Sequence, residues 1–213
     1  MNRFLRENTH YPISDEDIEK FAQSAIHQGH PGLEYHVTQD KSLIRTAFAK
    51  NMIRLGRQLG LKLNTVGMFT GKPGCVTSKH IDGTFEHAFT WRVAYYAKGE
   101  ASPITWFKPV VEESSIRIKE IEHIGDERNA PPAGYTEVEA TEPVYTALLD
   151  MHSAFVRTNE PHQLDMTNTT EPRLTITATF TPEISWEEVN ERLNELERNN
   201  EISRTTSSSI SSK

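Results

Sequence analysis

A single cysteine, Cys75, stands among the 213 residues of the chain, so an intrachain disulfide is excluded and the composition fits a reducing compartment. No apolar run reaches the length that a membrane-spanning helix needs. The opening segment from Met1 to Glu7 lacks the apolar centre of a secretion signal, so a cytoplasmic protein without membrane attachment is the expectation. A basic excess is missing too. Lys and Arg number 23 against 30 Asp and Glu, a formal charge of −7, which offers no footprint for a polynucleotide. What is present, 36% hydrophobic and 25% charged residues, is the make-up of a globular chain whose length suits one core.

Ser14 with Asp17 makes a capping-box pattern, and Ile18, Phe21, Ala22 and Ile26 follow at helical spacing, which predicts a helix ending near Gly29. A second helix is expected from Ser42 to Leu59, on a stripe of Leu43, Ile44, Ala47, Ile53, Leu55 and Leu59, with Gly60 as its stop. Between the two, His27, His30 and His36 surround Pro31 and Gly32. No cysteine or carboxylate pattern accompanies them, so they read as a connection rather than a zinc site.

From Leu61 the pattern changes to short runs. Strands are expected over Leu63 to Met68, Thr77 to Asp82, Ala88 to Ala97, Ile104 to Phe107, Ile116 to Ile124, Val144 to Leu149, Ala154 to Thr158, His162 to Met166 and Leu174 to Phe180. Such a series predicts a mainly β, jelly-roll or barrel core under an N-terminal helical cover. The long irregular stretch from Gly125 to Pro143 suggests a lid or binding loop, or else disorder. Ser185 with Glu188 predicts a final helix from Trp186 to Arg198, and the low-complexity residues 201–213 are expected to be disordered. The reading is therefore one domain over residues 1–200: a helical cover at 14–60, a β core at 62–181, a C-terminal helix at 186–198, then a tail.

The chemistry centres on His80 and Asp82, two residues apart in an extended segment and hence on one face of a sheet. An imidazole and a carboxylate side by side are two members of the facial two-His, one-carboxylate set that leaves open positions on non-haem Fe(II). Downstream, His162 can supply the third ligand from a strand across the barrel mouth, with His152 as a competitor. On the strand after Pro172, Leu174, Ile176, Ala178 and Phe180 take one face, while Arg173, Thr175, Thr177 and Thr179 take the other. That polar face either meets solvent or lines a polar cavity, where Arg173 could pair fork-like with a carboxylate and Thr175 add a hydroxyl. Arg92 approaches the same cavity if its face of the Phe89 to Tyr96 strand points inward. Trp106 and Phe107 read as core, and His123 as structural or exposed.

The combination of Lys79 to Gly83, Glu160 to Leu164 and Pro172 to Thr175 resembles the core of the Fe(II)- and 2-oxoglutarate-dependent oxygenases, over approximately residues 62–181. The resemblance implies a double-stranded β-helix (jelly-roll, cupin-like) core. It implies His80, Asp82 and His162 as iron ligands and Arg173 as partner of the 5-carboxylate of 2-oxoglutarate with Thr175 assisting; Arg92, if its strand face points inward, could approach the cosubstrate or the substrate. It also implies Fe(II), 2-oxoglutarate and dioxygen as the chemical partners, and it prefers His162 over His152 because Arg173 follows at the family's usual interval. Asp82 implies hydroxylation rather than halogenation, since the resembling halogenases lack that carboxylate. In one respect the sequence departs from the pattern: Leu149 to Ser153 stands where a Gly-rich turn would precede the distal strand. Substrates expected are a small molecule such as a free amino acid, then a peptidyl side chain, with nucleic acid least favoured. The alternatives are a cupin-type metal enzyme that uses no 2-oxoglutarate and a non-catalytic module stabilised by a metal.

Overall fold

The structure, a computed structural model, describes residues 3–7, 13–27, 34–37, 45–84, 87–88, 91–98, 101–109, 116–120, 134–149 and 153–210. Strand β1 (Leu5–Glu7) precedes helix α1 (Asp15–His27), strand β2 (Glu34–Val37) and helix α2 (Ala47–Gln58). The strands β3 (Lys62–Gly71), β4 (His80–Thr84), β5 (His87–Ala88), β6 (Trp91–Lys98), β7 (Ser102–Pro109) and β8 (Ile116–Glu120) follow. Then come β9 (Gly134–Val138), β10 (Ala140–Leu149), β11 (Ser153–Arg157), β12 (His162–Leu164), β13 (Arg173–Thr181) and helix α3 (Trp186–Ile210).

Two antiparallel sheets face each other. The first has the order β1-β11-β6-β13-β3-β2, and the second runs β10-β7-β12-β4-β9-β8, with β5 added beside β4. Strands distant in sequence are neighbours in both, the interleaving of a jelly roll or double-stranded β-helix. The architecture is mainly β, with helices at the N-terminal side and at the C-terminus. Among the described residues no helix is long and apolar enough to cross a membrane.

Period-two alternation divides the first sheet between two tasks. Trp91 and Val93 of β6, Phe155 of β11, and Leu174, Ile176, Ala178 and Phe180 of β13 all point to the helices. There they bury against Phe21 of α1, Phe48, Met52 and Leu55 of α2, and Val189 and Leu193 of α3. The intervening residues point the other way, toward the second sheet, where Ala94, Ala154 and Val156 meet Ile104, Trp106 and Phe4.

Helix starts follow their caps. Ser14 Oγ accepts from the Asp17 amide at 3.2 Å, as its pattern predicts. Asp17 itself, buried, accepts from the Phe48 amide at 2.6 Å, so a carboxylate on α1 sits at the N-terminus of α2. Thr46 Oγ1 accepts from the Ala49 amide at 3.2 Å and is the N-cap, so α2 begins at Ala47 rather than at Ser42. The apolar pair Leu43 and Ile44 extended the stripe in sequence but lies outside the described residues. Gly60 closes the helix at φ +69°, a conformation that side chains with a Cβ disfavour.

Three further expectations change. Glu34–Val37, read as a connection, is an edge strand paired with β3. The presumed loop from Gly125 to Pro143 is strand from Gly134 to Val138 and again from Ala140, while residues 125–133 lie outside the described residues. Its Gly and Pro content outweighed the strand-favouring residues Tyr135, Thr136 and Val138. Helix α3 continues to Ile210, so residues 201–210 are helical rather than disordered: Ser and Thr only mildly disfavour helix, and no Gly or Pro interrupts it.

Candidate metal and ligand site

Strand β4 places His80 and Asp82 on one face, with Ile81 between them buried on the other. His162 arrives from the adjacent strand, not from across the mouth: it is the cross-strand partner of His80 in the β12–β4 register, with ring centroids 4.5 Å apart. Local contacts hold it there. Phe107 N donates to Pro161 O at 2.9 Å, Trp106 Nε1 donates to Arg157 O at 2.9 Å, and Gln163 Nε2 donates to Thr77 O at 2.6 Å. The Asp82 amide donates to Thr158 O at 3.0 Å, joining β4 to the same turn. His152 and His123 lie outside the described residues.

Asp82 Oδ1 is 3.7 Å from His80 Nε2 and 4.0 Å from His162 Nε2, and all three candidate ligand atoms fall within 4.8 Å of one another. Each imidazole donates its other nitrogen to a main-chain carbonyl two residues earlier: His80 Nδ1 to Ser78 O at 2.8 Å, and His162 Nδ1 to Glu160 O at 3.0 Å. A carbonyl only accepts, so these bonds fix the Nδ1–H tautomer and leave a lone pair on each Nε2. Three electron-pair donors therefore converge at separations too long for hydrogen bonds. A divalent cation fits such a set, with the Nδ1 bonds that orient metal-binding histidines already in place.

Charges around the triad are asymmetric. Arg92 Nε lies 2.6 Å from the far oxygen of Asp82, Oδ2, and the guanidinium also covers the ring of Phe69 at 5.6 Å. Burial opposes ionisation of Asp82, but Arg92, with His162 and His80, outweighs it and holds the carboxyl below the ordinary carboxylate value. His162 is pushed down to about 4, first by burial and then by His80, with Asp82 opposing. It is thus a neutral imidazole at neutral pH.

A cavity of about 110 Å³ lies between the two sheets. His80, Asp82 and His162 line it from the second sheet, and Arg92, Arg173 and Thr175 line it from the first, so the six residues expected at a site share one space. Arg173, Thr175 and Thr177 of the polar face of β13 thus meet a cavity rather than solvent, and Thr179 is buried beyond it. Arg173 is 2% exposed, with Nε donating to Thr175 Oγ1 at 3.1 Å and Nη1 to Ser102 O at 3.3 Å. Arg92 reaches the cavity through Asp82, a pairing that depends on the long-range packing of β6 against β4 and leaves no local signal. Thr77, Thr158 and Thr177 also line the wall, and only Thr177 carried a signal in sequence, its place in the β13 alternation.

The fold and site together define a double-stranded β-helix protein with a two-His, one-carboxylate constellation that fits a divalent metal. No family model matches the chain, and no curated protein does. Among solved structures, a Pseudomonas putida prolyl-4-hydroxylase shares 12% identity, with 83% of this chain and 91% of that one covered and a TM-score of 0.46. A viral collagen prolyl hydroxylase from Paramecium bursaria Chlorella virus-1, in its 2OG complex, shares 10%, covering 84% and 96%, with a TM-score of 0.42. An oxalate decarboxylase shares 13%, covering 74% of this chain but 29% of that one, with a TM-score of 0.33. Likenesses this distant carry no argument about fold or activity.

Proposed function

We propose that the protein is an Fe(II)- and 2-oxoglutarate-dependent dioxygenase that hydroxylates a carbon of its substrate, with release of succinate and carbon dioxide. The observation that supports this reading is the joint placement, in one cavity, of the His80, Asp82 and His162 donor set and of the buried Arg173 with Thr175 on the facing sheet. A bound iron would supply the redox chemistry through which dioxygen and 2-oxoglutarate oxidise the substrate.

The chain's own residues do the rest. His80 and His162 would bind through Nε2, their rings oriented by the Nδ1 bonds to main-chain carbonyls. Asp82 offers Oδ1, while Arg92 keeps Oδ2 occupied. These three residues, from neighbouring positions on one sheet, would hold the metal at the wall of the cavity that a chelating 2-oxo acid would enter. Arg173 grips the distal carboxylate of that acid with a planar fork, and Thr175 orients the fork through Nε. Ile104, Val156 and Leu164 give the cavity apolar walls that exclude water and strengthen both contacts. The substrate is a small molecule such as a free amino acid, or a peptidyl side chain.

The test is calorimetric titration of 2-oxoglutarate into anaerobic protein loaded with Mn(II). Binding that depends on the metal and is lost in Arg173→Ala supports the assignment. Correctly folded, metal-loaded protein that binds no 2-oxoglutarate would refute it in favour of a cupin-type enzyme or a binding module.

A further inference from the structure

Thr177 carries a buried polar atom that the residues around it do not satisfy. Its residue exposure is 3%, and Oγ1 has no hydrogen-bond partner among the described residues. Its cross-strand neighbours explain why: they are Gly67 on β3 and Ala94 on β6, neither of which has a polar side chain. Bulk water is shut out as well. A hydroxyl kept this way is destabilising relative to a bonded one. Thr177 lines the cavity, on the same face of β13 as Arg173 and Thr175.

We propose that Thr177 is a ligand-binding residue of the cavity, whose hydroxyl bonds the metal-chelating end of the 2-oxo acid. The inference rests on the cosubstrate reading above and extends it. Spacing along the strand supports the choice of end. Thr177 lies two residues beyond Thr175, about 6.8 Å along an antiparallel strand. An extended five-carbon diacid, at about 1.5 Å per carbon–carbon bond, spans roughly 6–7 Å between its outer oxygens. With one carboxylate at Arg173 and Thr175, the other end reaches the level of Thr177. A hydroxyl there can donate to a carboxylate or 2-oxo oxygen, as a charge-assisted bond in the first case.

Two ligands and one stability measurement test this. Thr177→Val keeps the shape and removes the hydroxyl, while Thr177→Ser keeps the hydroxyl. In Mn(II)-loaded protein, Thr177→Val should weaken 2-oxoglutarate by about tenfold. It should weaken oxalate, which mimics the chelating end alone, by the same factor, whereas Arg173→Ala leaves oxalate unchanged. Thr177→Ser should bind both ligands like the wild type. In metal-free protein the urea midpoint of Thr177→Val should equal or exceed that of wild type, because the lost hydroxyl had no protein partner. Wild-type affinity for oxalate in Thr177→Val, or a lowered midpoint, would overturn the inference while leaving the cosubstrate reading standing. Wild-type protein that gives no 2-oxoglutarate binding would remove both.

Discussion

Acidification of the metal-free protein should expose His162 as a titrating stability element. Its folded value of about 4 lies below the ordinary 6.5, so the unfolded chain binds the extra proton more readily than the native one. Stability from this residue is complete above pH 6.5 and is lost as pH falls toward 4. The gap corresponds to about 3 kcal/mol at full protonation, of which about 2 kcal/mol is lost between pH 7 and pH 5. Carboxylates also titrate on acidification, mostly at lower pH, so the useful quantity is a difference. Urea unfolding of wild type and His162→Gln at pH 7, 6 and 5 should show the wild type losing about 2 kcal/mol more than the variant over that window. Parallel pH profiles for the two proteins would refute the claim that burial beside His80 keeps His162 neutral.

Three further outcomes are expected. Arg92→Met should lower urea stability by roughly 3 kcal/mol, because it strands the buried Asp82 carboxylate, and Asp82→Asn in the same chain should recover part of that loss in a double-mutant cycle. Asp17→Asn should cost about 1–2 kcal/mol through the weakened cap at Phe48, read in the same assay without loss of metal binding. Mn(II) at 100 times its dissociation constant should stabilise the wild type by about 2.7 kcal/mol, and His80→Ala or Asp82→Ala should abolish that gain in a thermal-shift measurement.

Local patterns carried much of this architecture and site. The His-x-Asp spacing placed two candidate ligands on one face, and the strict alternation of β13 separated a helix-packed face from a polar one. Those inferences needed only the two-residue period of a strand. What stayed hidden depended on register between distant segments. That His162 sits beside His80 follows from the pairing of β12 with β4, and no local feature of either segment encodes it. The contact of Arg92 with Asp82 and the missing partner of Thr177 likewise arise from which strands become neighbours. Boundaries failed where composition misled: Leu43 and Ile44 lengthened an apolar stripe past its Thr46 cap, and Gly and Pro near residue 134 resembled a loop.

Strand β13 is a partition one residue thick. Leu174, Ile176 and Ala178 bear on the helices from one side, while Arg173, Thr175 and Thr177 bear on the cavity from the other, all threaded on a single backbone. A truncation on the helix side, such as Ile176→Ala, removes no atom from the cavity, yet any settling of the strand into the vacated volume carries the guanidinium and hydroxyls with it. Loss of ligand affinity in such a variant would then report a displaced wall, and residues that never touch a ligand would behave in screens as though they did.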